Sequence, residues 1–213
     1  MNNIYQAPDW FFQEAKLDKN LYPKIKKELL DLFQYRFNDT PLSLIHSQFV
    51  VPADIEYVKE NCPAIMAQLK QYGLDDVFVM LAMIIVAPGT DYPIHVDTLN
   101  HGKMSFGLNI PVLNCHDSYT AWYDAEILYH ESFAPNILNT KFDIGTGLPC
   151  SNTNAVELAR CSANIPHWIN VVRPHAAICT HDKLRVNSSF RFDKKIFEML
   201  ADGSFYEKCT TTI

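Results

Sequence analysis

Apolar positions along the chain change period near residue 73. Before it they follow helical steps. In residues 21–36, Leu21, Ile25, Leu29, Leu32 and Phe33 recur at steps of three and four, with lysines opposite, which predicts an amphipathic helix. In residues 54–72, Ile55, Val58, Cys62, Ile65, Leu69 and Tyr72 do the same, with Asp54 as N-cap and Gly73 as the stop. Pro63 interrupts that pattern and predicts a kink or break.

After Gly73 the pattern turns to strands. Residues 77–86 (VFVMLAMIIV) are apolar throughout, as a strand buried on both faces would be. Residues 103–113 alternate, with Met104, Phe106, Leu108, Ile110 and Val112 on one face and Ser105, Gly107 and Asn109 on the other. Further strands are predicted over 118–124, 156–161, 168–172, 176–179 and 184–192, and a short helix over 194–201. Residues 126–153 read as a long loop, a candidate lid. Helices followed by seven or eight strands predict an α+β, mainly β fold: a jelly roll covered by N-terminal helices. One domain over 1–213 is expected: helical 1–73, a jelly-roll core over 74–193 with an insertion at about 125–153, and a tail from 194.

Composition narrows the function classes. Hydrophobic residues at 48% and charged ones at 20% fit a soluble globular protein and exclude a disordered chain or coiled coil. The net charge is -6 and no basic cluster is long, so duplex nucleic acid is not an expected partner. None of the six cysteines forms CxxC, and the start, MNNIYQAPDWFF, shows no secretory pattern. Free thiols in a reduced, cytoplasmic protein are expected. The longest apolar run, 77–88, is too short for a bilayer, so no membrane is expected.

The sharpest chemistry is His95-Val96-Asp97. On extended backbone, residues i and i+2 point the same way, so an imidazole and a carboxylate face one spot. His175 could supply a third ligand. Two His and one carboxylate on one face of an iron leave three positions open. Arg185 follows ten residues after His175, within LRVNSSFRF. That stretch alternates, with Arg185, Asn187, Ser189 and Arg191 on one polar face. For Arg185 to share the face of His175 in one hairpin, the turn at 180–183 must be odd in length. An arginine fork there suits a carboxylate ligand.

This ordered set resembles the Fe(II)- and 2-oxoglutarate-dependent oxygenases, whose pattern is His-x-Asp, a distal His, then Arg about ten residues on. Small bacterial and phage members carry stretches like Gly107-Leu108-Asn109-Ile110-Pro111 and Trp122-Tyr123. They close with a segment like Ile169-Asn170, Pro174-His175, Arg185 and Ser189-Phe190-Arg191-Phe192. The similarity spans about residues 77–192, and the family fold is the double-stranded β-helix, a cupin-like jelly roll. The resemblance implies that His95, Asp97 and His175 bind iron and that Arg185 pairs with the distal carboxylate of 2-oxoglutarate. Asn109 and Arg191 would serve the co-substrate, Arg191 alternatively the substrate. Trp122 and Tyr123 would line the substrate pocket, with His101 near enough to touch substrate. His167 is a rival distal ligand, but Ala177 stands where its arginine would be.

The implied cofactors are Fe(II), 2-oxoglutarate and O2, with succinate and CO2 as co-products. The implied reaction hydroxylates an amino acid, a peptidyl side chain or a small metabolite. Two other classes keep the fold. A cupin-like metal enzyme needs the three ligands but not Arg185, and a jelly-roll binding module needs no metal.

Overall fold

The computed structural model describes residues 9–37, 49–90, 93–97, 106–128, 136–137, 147–180, 182–193 and 195–211. Among them are twelve strands and five helices. The first helix, α1 (Tyr22–Phe37), follows a short strand, β1 (Phe12–Glu14). Strand β2 (Phe49–Ala53) comes next, then α2 (Ile55–Asn61) and α3 (Pro63–Tyr72). The helix expected over 54–72 is therefore two. Pro63 takes the first position of α3, where its missing N–H costs nothing. Asp54 caps α2 through Glu56 and Tyr57 N–H, and Gly73 ends α3 at φ 75°. Cys62 gives α3 no side-chain cap. Glu28 of α1 supplies it instead, its carboxylate accepting from Ala64 and Ile65 N–H at 2.8 and 2.9 Å.

The remaining strands are β3 (Phe78–Val86), β4 (His95–Asp97), β5 (Phe106–Leu113), β6 (Ser118–Asp124), β7 (Asn136–Ile137), β8 (Gly147–Pro149), β9 (Val156–Ser162), β10 (His167–Asn170), β11 (His175–Cys179) and β12 (Arg185–Phe192). Helices α4 (Lys195–Ala201) and α5 (Ser204–Cys209) close the chain. One sheet runs β1-β10-β5-β12-β3-β2-β7, the other β8-β4-β11-β6-β9. Strands β3 to β6 and β9 to β12 form the frame, four in each sheet, and every pairing within it is antiparallel. This is the double-stranded β-helix, with helices on one side.

Two expectations are corrected. Part of the loop expected over 126–153 is strand: β8 pairs with β4, and Ile127 bridges Cys150. The expected hairpin between β11 and β12 is absent, because the two strands lie in opposite sheets. The parity of the 180–183 turn therefore does not govern Arg185, which points inward from the opposite sheet toward Tyr119 and Ile178.

The apolar core lies outside the sandwich. The outward residues of β12 (Val186, Phe190 and Phe192) pack with Leu29, Leu69 and Phe205 of the helices in one buried cluster. Both faces of β12 are buried, unlike those of a surface strand. The inward faces carry Arg185, Asn187, Ser189 and Arg191, and that polar interior holds the candidate site. No helix among the described residues is long and apolar enough to cross a membrane.

Candidate metal centre

Strand β11 sits between β4 and β6, so His175 has His95 on one side and Trp122 on the other. The imidazole rings of His95 and His175 lie 4.4 Å apart. Asp97, two residues beyond His95, points the same way. Ligand atoms of His95, Asp97 and His175 all lie within 4.8 Å of one another, close enough to hold one metal ion. Among the described residues this is the one group of three or more such side chains brought together, and His167 is not in it.

Backbone carbonyls set how both rings present themselves. His95 Nδ1 lies 2.9 Å from Pro93 O and His175 Nδ1 lies 2.9 Å from Arg173 O. A carbonyl only accepts, so Nδ1 carries the proton and Nε2 offers its lone pair. Burial, reinforced by the charge of His95, pushes His175 down to about 4. Burial alone would raise Asp97. The contact with His95 and the charge of Arg191 outweigh it and hold the carboxyl well below its usual range. At neutral pH the site thus presents an ionised carboxylate and a neutral His175, the forms that bind a cation.

Arg191 holds Asp97 from the far side. Its Nη2 donates to Asp97 Oδ2 at 3.1 Å and its Nη1 to Ser189 Oγ at 2.5 Å. Ser189 Oγ in turn donates to Asn109 Oδ1 at 2.7 Å. Both arginine head contacts are made within the protein, so Arg191 and Asn109 form a braced network beside the ligands. Sequence reasoning did not assign a role to Gly107, yet the guanidinium of Arg191 lies over it. A Cβ there would meet Nη1 at 1.7 Å.

Arg185 stands at the other end of the interior, six residues or roughly 20 Å along β12 from Arg191. It is 1% exposed. Its Nη1 makes long contacts, 3.4 Å to Tyr119 O and 3.5 Å to Ile178 O, the Cys115 thiol lies against the guanidinium, and its Nε has no partner. Ile178 lies three residues, about 10 Å of strand, beyond His175. Among the described residues, the other buried side-chain polar atoms without a partner are Ser118 Oγ, His167 Nε2 and both amide atoms of Asn187. Such orphans are rare, since each costs about 1–3 kcal/mol. Asn187 was visible in the sequence as part of the alternating polar face. Ser118 was not, because one serine at a strand start carries no pattern.

The remaining expected residues separate. Trp122 is fully buried beside His175, its indole N–H donating to Asn170 O at 3.0 Å while Phe12 stacks on it. Tyr123 packs with Ile94, Val96 and Ile178 on the outer side of the second sheet. His101 lies outside the described residues.

No family model matches the chain. No curated protein matches its sequence. Among solved structures, it is similar to a Pseudomonas putida prolyl-4-hydroxylase at 12% identity and TM-score 0.42, over 85% of this chain and 92% of that one. It is also similar to the oxalate decarboxylase of Bacillus subtilis at 12% identity and TM-score 0.31, over 68% of this chain. The matched region spans 25% of that decarboxylase. Likenesses this distant carry no assignment, and the chemistry rests on the side chains described above.

Proposed function

We propose that this protein is an Fe(II)- and 2-oxoglutarate-dependent oxygenase that hydroxylates an amino acid, a peptidyl side chain or a small metabolite. The observation that carries the reading is the buried guanidinium of Arg185, its Nε without a partner and, among the described residues, no carboxylate paired with its charge, facing the polar interior at a remove from three converging ligands. An unpaired buried cation is costly, and an anionic ligand removes that cost. Among the described residues, the buried charged side chains are Arg185 and Arg191, and Asp97 pairs with Arg191 alone. A divalent metal adds two more positive charges. A dianion that chelates the metal at one end and reaches Arg185 at the other suits this balance, and 2-oxoglutarate is such a ligand.

The donor set fits iron: two imidazoles and one carboxylate, no thiolate, with positions left open. His95, Asp97 and His175 would hold it. Bound iron(II) supplies the redox chemistry that couples decarboxylation of 2-oxoglutarate, with O2, to oxidation of a substrate C–H bond. The chain's own work is to orient and enclose. Pro93 and Arg173 carbonyls fix the imidazoles, Arg191 fixes Asp97, Arg185 anchors the distal carboxylate and Trp122 fills the space beside His175.

The test is succinate formation by protein reconstituted anaerobically with Fe(II), then given 2-oxoglutarate and air, beside a His175→Ala control. Iron-dependent succinate that the control lacks is expected. A protein that binds metal but makes no succinate, and shows no visible charge-transfer band with 2-oxoglutarate, would instead be a metal enzyme of another kind. One that binds no metal would be a binding module.

A further inference from the structure

His167 has the same backbone clamp as the two candidate ligand histidines, but no counterpart. Its Nδ1 lies 2.6 Å from Ile165 O, so Nδ1 keeps its proton and Nε2 is a bare acceptor. The ring is fully buried, and Nε2 has no partner. On β10 it stands beside Asn109 of β5, and both face the interior. The other unpartnered atoms belong to the same inner faces: Arg185 and Asn187 on β12, Ser118 on β6. Their hydrogen-bonding capacity does not match a carboxylate as it stands. Arg185 Nε, Asn187 Nδ2 and Ser118 Oγ can donate to one, but the Nε2 lone pair would repel it.

We propose that His167 is a recognition residue for the anion held by Arg185, and that it takes up a proton on Nε2 as that anion binds. The inference rests on the oxygenase reading. Protonation turns the mismatched acceptor into a charge-assisted donor. The proton comes from solvent and Nδ1 keeps its own, so the ring becomes imidazolium and no bond is made or broken in the ligand. Burial, with the charge of Arg185 adding to it, pushes the ring down to about 4, so before the anion binds it is neutral. A bound dianion offsets both effects. The titratable and charged groups around His167 are Glu14, opposite it on β1, Arg185 on β12 and the thiols of Cys115 and Cys179 acting on Arg185. Its β5 neighbour, Asn109, is uncharged.

The experiment is anaerobic calorimetric titration of the full-length, Fe(II)-loaded protein with 2-oxoglutarate, between pH 6 and 9. Each pH is run in two buffers of different ionisation heat, which counts protons. Metal occupies the candidate ligand histidines, and 2-oxoglutarate is fully ionised throughout. Uptake approaching one proton per ligand is expected at the acid end. Affinity should weaken by about tenfold per pH unit over the range where uptake is near one, and level off above the complex's apparent pKa. His167→Gln keeps a donor without a titrating ring, so it should bind with no uptake and a flat pH profile. Wild-type binding without proton uptake, or unchanged uptake in the variant, overturns this proposal and leaves the oxygenase reading standing. No 2-oxoglutarate binding by iron-loaded wild type overturns both.

Discussion

Arg191 reaches Asp97 across the bare Cα of Gly107, and no larger residue at 107 leaves room for that reach. The contact holds one oxygen of the carboxylate, Oδ2, while Oδ1 stays 3.5 Å from His95 Nε2. Gly107→Ala should push the guanidinium aside, since a flexible side-chain end yields more easily than backbone. The fold should survive, but metal affinity should fall by about 10–100-fold, the usual effect of losing a group that orients a ligand. Metal titration with a parallel thermal melt checks this, and unchanged affinity would remove Arg191 from any role in holding Asp97.

Arg185→Met separates ligand binding from stability, with opposite signs. Removing the buried cation should weaken 2-oxoglutarate binding by at least about 30-fold, equivalent to roughly 2 kcal/mol. Iron binding should be unchanged. The ligand-free protein should become more stable, by about 1–3 kcal/mol, because an unpaired buried charge is gone. A lower melting temperature with intact 2-oxoglutarate affinity would mean that Arg185 is structural.

Acid should destabilise the metal-free protein well before its carboxylates titrate. His167 and His175 are both held to about 4 by burial, against an ordinary value near 6.5. Their folded values lie below their unfolded ones, so the unfolded chain binds protons first. The stability they contribute is complete above pH 6.5 and is lost as pH falls from there to 4. At 1.36 kcal/mol per unit, each accounts for roughly 3 kcal/mol at most. Urea midpoints measured from pH 8 to 4 should therefore drop steeply below 6.5, and less steeply in His167→Gln. A flat profile over that window would contradict the burial of these rings as neutral groups.

Much of this was legible in the sequence because it depends on period alone. The alternation of residues 184–192 fixed which side chains of β12 share a face, and helical steps found α1 and the pair α2–α3. Pro63 marked the break because its chemistry is local. Sheet membership was not legible. The chain from Cys179 to Arg185 reads as a hairpin turn, and only the pairing of β11 with β4 and β6 shows that it crosses between sheets. Strands β1, β2, β7 and β8 are two to five residues long, too short to display a period. Between His167 and His175, ladder position decides: β11 lies next to β4, whereas β10 lies in the other sheet.

Glu28 offers a test of the helical layer. Glu28→Ala removes both acceptors from the first N–H groups of α3, which has no cap of its own. A loss of about 1–2 kcal/mol in unfolding free energy is expected, with metal binding unaffected. Loss of metal binding in a folded Glu28→Ala protein would contradict the separation of the two regions.

That separation has a consequence for how the protein can change over generations. The helices adhere to residues on the outer side of the seven-stranded sheet, and the inner side chains take no part in that adhesion. A lineage could exchange residues facing the interior, and with them the anion or substrate accepted there, while the grip of helix on sheet stays as it was. Drift in chemistry and conservation of shape are here assigned to alternate residues of the same strand.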